Sequence, residues 1–267
     1  MKKVFAIALA LCLVLLSVSA SAETVLEKIK KDGVLILGTE ATYGPYEFLD
    51  ADANPIGCDI WLAEQIAAEL GVVLKTQDMS FDGIIPAVQA GSVDIGIAAF
   101  TVNEERAKVI DFSHQYELSE QLLIVKKGDA DVYTTKESLA GKKVGAQMGT
   151  VQSQLIEKVL TDSELFELDT YPNLAMETVN GNIAGFVCDA AVGLGMVAQN
   201  ENLEVANFTF TAEEAAFGKA CVIAQGNEDL LEIINKVVDR VVEDGSYLKA
   251  FEEYDAIWKQ EAEGEAE

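Results

Sequence analysis

An apolar strand, a polar loop and an amphipathic helix follow one another in residues 34–70, VLILGTEATYGPYEFLDADANPIGCDIWLAEQIAAEL. The helix, expected over 59–70, places its apolar residues on one stripe, and Gly71 follows it where a left-handed cap ends a helix. The alternation continues with a strand at 72–76, a helix at 81–90, a strand at 94–98 and a short helix at 103–109. Strands that alternate with helices in this way predict an α/β fold with a parallel sheet.

A second α/β series begins after the charged segment 126–131. Its strands are expected at 143–146, 167–171 and 185–187, and its helices at 151–160, 174–180 and 190–199. A strand at 220–224, a helix at 228–242 and a short helix ending at Tyr254 lack a βαβ unit of their own, so we expect them to return to the first series. The predicted lobes are 23–124 with 220–260, and 125–219, joined by crossovers near 122–127 and 217–223. The acidic tail 261–267 is expected to be disordered.

The first 22 residues have the pattern of a secretory signal peptide. Lys2 and Lys3 precede an apolar run at 4–16, and small residues end at Ala22. The run is too short to cross a membrane, which takes about 20 apolar residues. We expect cleavage near Ala22 and a periplasmic protein that does not itself span the membrane. A lipoprotein signal at Cys12 is the alternative, although Leu11 stands where a small residue is wanted.

Composition excludes several classes of function. The chain has 45 acidic against 19 basic residues, a net charge of −26 at pH 7, so we exclude nucleic acid as a partner. Cys58, Cys188 and Cys221 form no CxxC pair, which argues against a metal site and favours buried free thiols. His114, the one histidine, lies at a strand edge, which indicates a surface or structural role. Without a GxSxG, HExxH or phosphate-loop motif, we expect neither catalysis nor a cofactor.

Arg106 is the first candidate for binding chemistry. It lies near the start of the short helix, behind Thr101-Val102-Asn103-Glu104, which has the form of a capping box. A guanidinium beside helix-start amides forms an anion site, because its fork binds a carboxylate through two hydrogen bonds while Thr101 adds a hydroxyl. The alternative is a surface ion pair of Arg106 with Glu104 or Glu105, and the spacing alone leaves both open.

Two strand ends of the second series offer further groups. Gly149-Thr150-Val151 begins a helix directly after the strand at 143–146, so helix-start N–H groups face a ligand that the glycine allows to come close. Asp189 follows an apolar strand, and ligands of parallel α/β sheets lie at the carboxyl ends of strands. The sequence leaves open whether Asp189 meets a cation or caps the following helix.

Residues of the first series complete the candidate set. Two aromatic residues could form a flat wall against a ligand, namely Tyr43 in the loop after the first strand and Phe81 at a helix start. The alternative is that both are core residues. Glu40, just past the first strand, is a polar candidate for a ligand's side chain.

Several segments resemble the polar amino-acid-binding proteins of ABC importers, in that family's order and over nearly the whole chain after the leader. They are residues 38–43 with 45–48, 56–60, 81–87, 101–106, 111–113 and 141–145 with 149–150. The resemblance implies a two-lobed, type II periplasmic-binding fold, α/β with mostly parallel sheets, that closes on a free amino acid in the cleft. It also implies a monomer whose partner is an ABC permease in the cytoplasmic membrane.

The resemblance assigns roles to residues around that cleft. Those that hold the ligand's α-carboxylate are Arg106, Thr101 and the amides near Thr150 and Val151. Those that hold its α-ammonium are Asp189 and the carbonyl of Ala99. Those that surround its side chain are Tyr43, Phe81 and Glu40. Ligand contacts to both lobes would stabilise the closed form, which the importer reads.

Two other functions stay open at this point. Some proteins of the same superfamily are dehydratases that act on prephenate or arogenate, and here Glu40 would be the general acid. A sensory module would instead pass its closure to a membrane receptor. Turnover of those substrates would favour the enzyme, and permease and ATPase genes in the same transcription unit would favour import.

Overall fold

The computed structural model describes residues 23–264, so the expected signal peptide and residues 265–267 lie outside it. In chain order its strands are β1 (Val34–Thr39), β2 (Thr42–Tyr43), β3 (Glu47–Leu49), β4 (Pro55–Ile56), β5 (Val73–Asp78), β6 (Ile95–Gly96), β7 (Ile110–Phe112), β8 (Glu117–Ser119), β9 (Gln121–Lys126), β10 (Lys143–Gln147), β11 (Glu164–Leu168), β12 (Gly185–Asp189), β13 (Leu203–Val205), β14 (Phe217–Lys219) and β15 (Val222–Ala224). Its helices are α1 (Val25–Asp32), α2 (Cys58–Leu70), α3 (Phe81–Gln89), α4 (Glu104–Ala107), α5 (Val151–Val159), α6 (Tyr171–Val179), α7 (Ala190–Gln199), α8 (Ala212–Ala215), α9 (Glu228–Glu243) and α10 (Ser246–Gly264), with a 3₁₀ turn at Lys136–Leu139.

Two five-stranded sheets form the framework. The first has the order β5-β1-β6-β15-β7 and the second β11-β10-β12-β9-β13. Strand β1 pairs in parallel with β5 and β6, and β10 pairs in parallel with β11 and β12. Each sheet contains one antiparallel strand, β15 in the first and β9 in the second. The mostly parallel α/β architecture expected from the alternating pattern is therefore confirmed.

A short antiparallel ribbon of β8 and β14 links the two sheets. Strand β8 leads from the first sheet into β9 of the second, and β14 leads back into β15 of the first. The first crossover therefore lies before Gln121, earlier than the expected 122–127, because β9 is already paired along its length with β12. The division into lobes at residues 124 and 219 stays a prediction.

Helix packing around the first sheet follows the apolar stripes of the sequence. Ile66 of α2 and Val238 of α9 are fully buried in the same cluster as Leu35 of β1. Gly71 closes α2 in the left-handed conformation, with φ 72°, as the sequence predicts.

Cys58, Cys188 and Cys221 are buried free thiols, also as predicted. Within residues 23–264, each helix is too short or too polar to cross a membrane.

One strand of the second series lies earlier in the sequence than we expected. The structure has β11 at Glu164–Leu168 where a strand at 167–171 was expected, and α6 begins at Tyr171. The side chain of Thr170 accepts a hydrogen bond from the amide of Asn173 and so caps α6. Pro172 in the first turn adds to the helix start, because its fixed φ suits that position.

The C-terminal helix is longer than the sequence suggested. We expected a short helix ending at Tyr254 and a disordered tail at 261–267, whereas the backbone of α10 is helical through Gly264. Phe251, Tyr254 and Trp258 recur at helical spacing and pack against the core. Trp258 also contacts the ring of Phe48, with centroids 5.3 Å apart, and its carbonyl accepts a hydrogen bond of 2.6 Å from Gln199. Helix α10 therefore contacts both β3 and the end of α7.

Candidate functional site

A pocket between the two sheets brings together every residue that the sequence singled out for ligand binding. Its walls come from both sheets, and the predicted residues among them are Glu40, Tyr43, Phe81, Ala99, Thr101, Arg106, Thr150, Val151 and Asp189. Residues that the sequence reasoning missed also line it, namely Glu47, Ala98, Gln147, Gln152 and Tyr171. The pocket is narrow, since the space open to a water-sized molecule is about 20 Å³.

The guanidinium of Arg106 is a buried cation that has no carboxylate within salt-bridge distance in the described part of the chain. It lies beside the stacked rings of Phe81 and Phe100, 5.3 and 5.2 Å from their centroids. Its nitrogens donate to the carbonyl of Thr101 at 2.8 Å and to that of Gly149 at 3.1 Å. Burial lowers the pKa of Arg106 to about 10, which leaves it charged at neutral pH.

Two expectations about this segment need correction. The surface ion pair is wrong, because Glu105 pairs with Lys108 at 2.6 Å while Arg106 is buried. The helix start is also different, since Asn103 caps α4 by accepting a hydrogen bond from the amide of Arg106. Thr101 lies two residues before this cap and forms an isolated β-bridge with Lys219.

The turn between β10 and α5 faces Arg106 from the second sheet. Gly149 has φ 77°, and a side chain there would meet the Cβ atom of Asp82 at 3.1 Å, so glycine suits both the turn and the close contact. Thr150 caps α5 by accepting from the amide of Ser153. The first amides of a helix have no partner within the helix, so those of Val151 and Gln152 are donors at the pocket wall.

The carboxylate of Asp189 is saturated with hydrogen bonds. Tyr43 and Lys219 donate to Oδ2, both at 2.7 Å, and Gln121 donates to Oδ1 at 2.7 Å together with the hydroxyl of Ser119. Burial opposes ionisation, but the charge of Lys219 and these hydrogen bonds hold the pKa of Asp189 below its usual value. Asp189 stands at the cap position of α7, yet its side chain makes no capping bond, so the capping alternative is wrong.

Lys219 is the main residue that the sequence reasoning missed. Its side chain is fully buried, and its ammonium also lies over the ring of Tyr46 at 4.7 Å. One signal was present, because a single lysine between Gly218 and the apolar run 220–224 is out of place in a strand. A pattern cannot say which carboxylate such a lysine meets, since Asp189 is 30 positions away.

Two glutamates, Glu40 just after β1 and Glu47 in β3, make the pocket acidic. Glu40 accepts hydrogen bonds from Thr42 and, at 3.2 Å, from Gln147, but burial dominates and raises its pKa to about 7. The carboxyl of Glu47 is buried, and its Oε2 atom has no hydrogen-bond partner within the described residues. Burial, and then repulsion by Asp59, raises the pKa of Glu47 well above its usual value. A cation that enters the pocket would stabilise the ionised forms of both carboxyls.

Aromatic rings form the remaining wall. The ring of Tyr43 lies 4.8 Å from that of Tyr171, and Phe81 stacks on Phe100 at 4.7 Å.

Outside the pocket, His114 is exposed, with Nδ1 2.8 Å from Asp239, which confirms the surface position expected for it. Between residues 23 and 260, no group of histidine, cysteine and acidic side chains has the arrangement of a metal site.

Comparison with known proteins gives a consistent result. The sequence model of the bacterial extracellular solute-binding proteins, family 3, matches residues 35–256. The L-cystine-binding protein TcyJ of Escherichia coli strain K12 is 30% identical over 229 residues, which is 85% of each chain.

Solved structures agree with this chain in fold. An amino acid ABC transporter substrate-binding protein, AbpA from Streptococcus pneumoniae Canada MDR_19A bound to L-arginine, superposes with a TM-score of 0.83 and 32% identity over 87% of this chain and 98% of that one. The ancestral amino acid-binding protein AncCDT-1, a precursor of cyclohexadienyl dehydratase, superposes with a TM-score of 0.78 and 31% identity over 86% and 99%. The two-lobed type II periplasmic-binding fold is confirmed. This chain belongs to the bacterial extracellular solute-binding proteins, family 3.

Proposed function

We propose that this protein binds a free amino acid between its two sheets and delivers it to the membrane permease of an ABC importer. The observation that carries the proposal is the pocket itself, where the buried cation Arg106, with no carboxylate partner among the described residues, shares the lining with the buried acids Asp189 and Glu40. A buried charge is tolerated when it gains a partner, and an amino acid supplies a carboxylate and an ammonium together. Family membership supports the same function.

The proposed contacts follow from the positions of these groups. The α-carboxylate binds Arg106, with Thr101 and the amides near Thr150 and Val151, at the start of α5, as further donors. The α-ammonium binds Asp189 and the carbonyl of Ala99, and the rings of Tyr43 and Phe81 flank the side chain. These assignments rest on geometry and on the family resemblance.

The ligand's side chain is proposed to be cationic. Among the described residues that line the pocket, Arg106 is the one cation, whereas the acids are Glu40, Glu47 and Asp189. Glu40 and Glu47 are costly to ionise when buried alone, and a guanidinium or ammonium would offset that cost. L-arginine, the ligand of the similar AbpA structure, fits this chemistry.

Binding is proposed to require movement of the two sheets relative to each other. Arg106, Thr150 and Asp189 are buried, so a ligand can reach them only when the walls of the pocket move apart. The β8 and β14 ribbon is the connection about which the sheets can separate, and a ligand that contacts both sides then favours closure.

The proposal also covers domain organisation and location. One lobe consists of residues 23–124 with 220–260, and the other of residues 125–219. The protein is proposed to be a monomer that is periplasmic after cleavage near Ala22.

A thermal-shift screen of the twenty amino acids and cystine tests the proposal. A ligand at a hundred times its dissociation constant adds ~2.7 kcal/mol to the free energy of unfolding. We expect L-arginine or another cationic amino acid to give the largest shift, and no amino acid to stabilise the protein if the proposal is wrong. Stimulation of the cognate permease and ATPase in proteoliposomes by the loaded protein would test delivery.

We also propose that the site binds without catalysing. The similarity to AncCDT-1, and a buried Glu40 with a pKa of about 7, are the features that a dehydratase would use. Incubation of the purified protein with prephenate or arogenate is expected to yield no product. Steady turnover that is lost in the Glu40→Gln variant would establish the enzyme instead.

A further inference from the structure

Lys219 places an amino group of the protein itself against the acid proposed to bind the ligand's α-ammonium. Its Nζ atom lies 2.7 Å from Oδ2 of Asp189, and both side chains are almost fully buried. The lysine belongs to β14, in the ribbon between the sheets, and the bridge to Thr101 fixes its backbone. Lys219 thus reaches Asp189 from behind the pocket and is not itself one of the lining residues.

The acceptor capacity of Asp189 is already used. A carboxylate offers about four lone-pair sites, and Tyr43, Ser119, Gln121 and Lys219 supply four donors. Three of these donors are neutral, so Lys219 alone cancels the charge of Asp189. A second ammonium at Asp189 must displace a donor, and it also meets the positive charge of Lys219 at short range.

We propose that Lys219 is a specificity-determining residue that competes with the ligand's α-ammonium for Asp189. This inference rests on the proposed function, that the pocket binds an amino acid. Its consequence is that the α-amino group contributes little to affinity, and that ligands are selected mainly by their carboxylate and side chain. A carboxylate ligand that lacks the α-amino group therefore binds almost as well as the amino acid.

Other acids near Lys219 make such competition possible without stranding the lysine. The positive charge of Lys219 counteracts the burial that raises the pKa values of Glu117, to about 7, and Asp59, to about 6. When a ligand's ammonium takes Asp189, these carboxyls provide the compensating charge for the lysine.

The test compares L-arginine with its des-amino analogue, 5-guanidinopentanoate. Calorimetry gives the ratio of their dissociation constants in the wild type and in the Lys219→Met and Lys219→Gln variants. We expect a ratio below about tenfold in the wild type, and a ratio at least tenfold larger in the variants because L-arginine binds more tightly. Lys236→Met, which removes an exposed lysine paired with Glu69, is the matched control and should keep the wild-type ratio.

A purely structural role for Lys219 gives a different result. If the lysine only holds Asp189 in place, its loss weakens both ligands alike and leaves the ratio unchanged, which would overturn the inference. The wild-type ratio is informative even where a variant fails to fold, since a value above about a hundredfold also overturns it.

The proposed function and this inference fail in distinguishable ways. If the wild type binds no amino acid, the proposed function is wrong. If it binds another amino acid instead of L-arginine, the same ratio is measured with that amino acid and its des-amino analogue. Tight binding of an amino acid with a large ratio that Lys219→Met does not change removes only the role of Lys219.

Discussion

The pKa of Glu40 makes the affinity for a cationic amino acid depend on pH near neutrality. Burial raises this pKa to about 7, so the carboxyl is largely protonated at pH 6 and largely ionised at pH 8. A cationic side chain binds the ionised form, because a neutral carboxyl offers it no charge. Affinity should therefore rise with pH through 7.

The magnitude follows from the fraction of Glu40 that is ionised before binding. With a pKa of about 7 that fraction is ~0.1 at pH 6 and ~0.9 at pH 8, so affinity should rise about tenfold, or ~1.4 kcal/mol. Binding at pH 7 should also release about half a proton, because the bound cation holds Glu40 in its ionised form. Calorimetry in buffers of different ionisation enthalpy measures both quantities.

Two matched controls isolate the effect. L-citrulline has the shape of L-arginine with an uncharged side chain, and its affinity should not follow the ionisation of Glu40. The Glu40→Gln variant should bind L-arginine more weakly at pH 8 and with little pH dependence. The reasoning is refuted if the affinity ratio of L-arginine to L-citrulline is constant from pH 6 to 8, or if its slope persists in Glu40→Gln.

Three substitutions test other parts of the account. Arg106→Ala should weaken amino-acid binding by more than about tenfold, with ~3–5 kcal/mol typical for removing one partner of a buried pair, whereas Arg240→Ala, at an exposed position, should leave the dissociation constant unchanged. Asp189→Ala should lower the free energy of unfolding by ~3–5 kcal/mol in urea titrations, because Lys219 is left buried without its partner, and it should weaken amino-acid binding because the charge of Lys219 then repels the ligand's α-ammonium; a variant as stable as the wild type would contradict the ion pair. His114→Ala should be silent in calorimetry, since the side chain is exposed outside the pocket, and a large loss of affinity would show a second site.

The sequence predicted most of the pocket because strand ends and helix starts are legible in it. Arg106, Thr150 and Asp189 each adjoin a strand or helix terminus that periodicity locates. In a mostly parallel sheet such termini meet at one edge. Only the resemblance to a family brought residues of the two sheets to one cleft.

What the sequence could not predict depends on contacts between distant segments. Glu47 lies in a segment expected to be a loop and Lys219 lies in an expected crossover, and their burial against acids on other elements appears only once the sheets are assembled. The length of α10 was underestimated because Trp258 is anchored by Phe48 and Gln199, which no local pattern reveals. The strand at Glu164–Leu168 lies earlier in the sequence than predicted, because Thr170 caps the next helix and the apolar pattern did not show this.

The most direct measurement of the central claim is a crystal structure of the protein with bound L-arginine, or with the amino acid that the screen identifies. The account predicts a ligand between the two sheets, with its carboxylate oxygens within hydrogen-bond distance of the Arg106 guanidinium and its side chain directed at Glu40. A ligand bound elsewhere, such as the open groove beside His114, or a carboxylate turned away from Arg106, would contradict it.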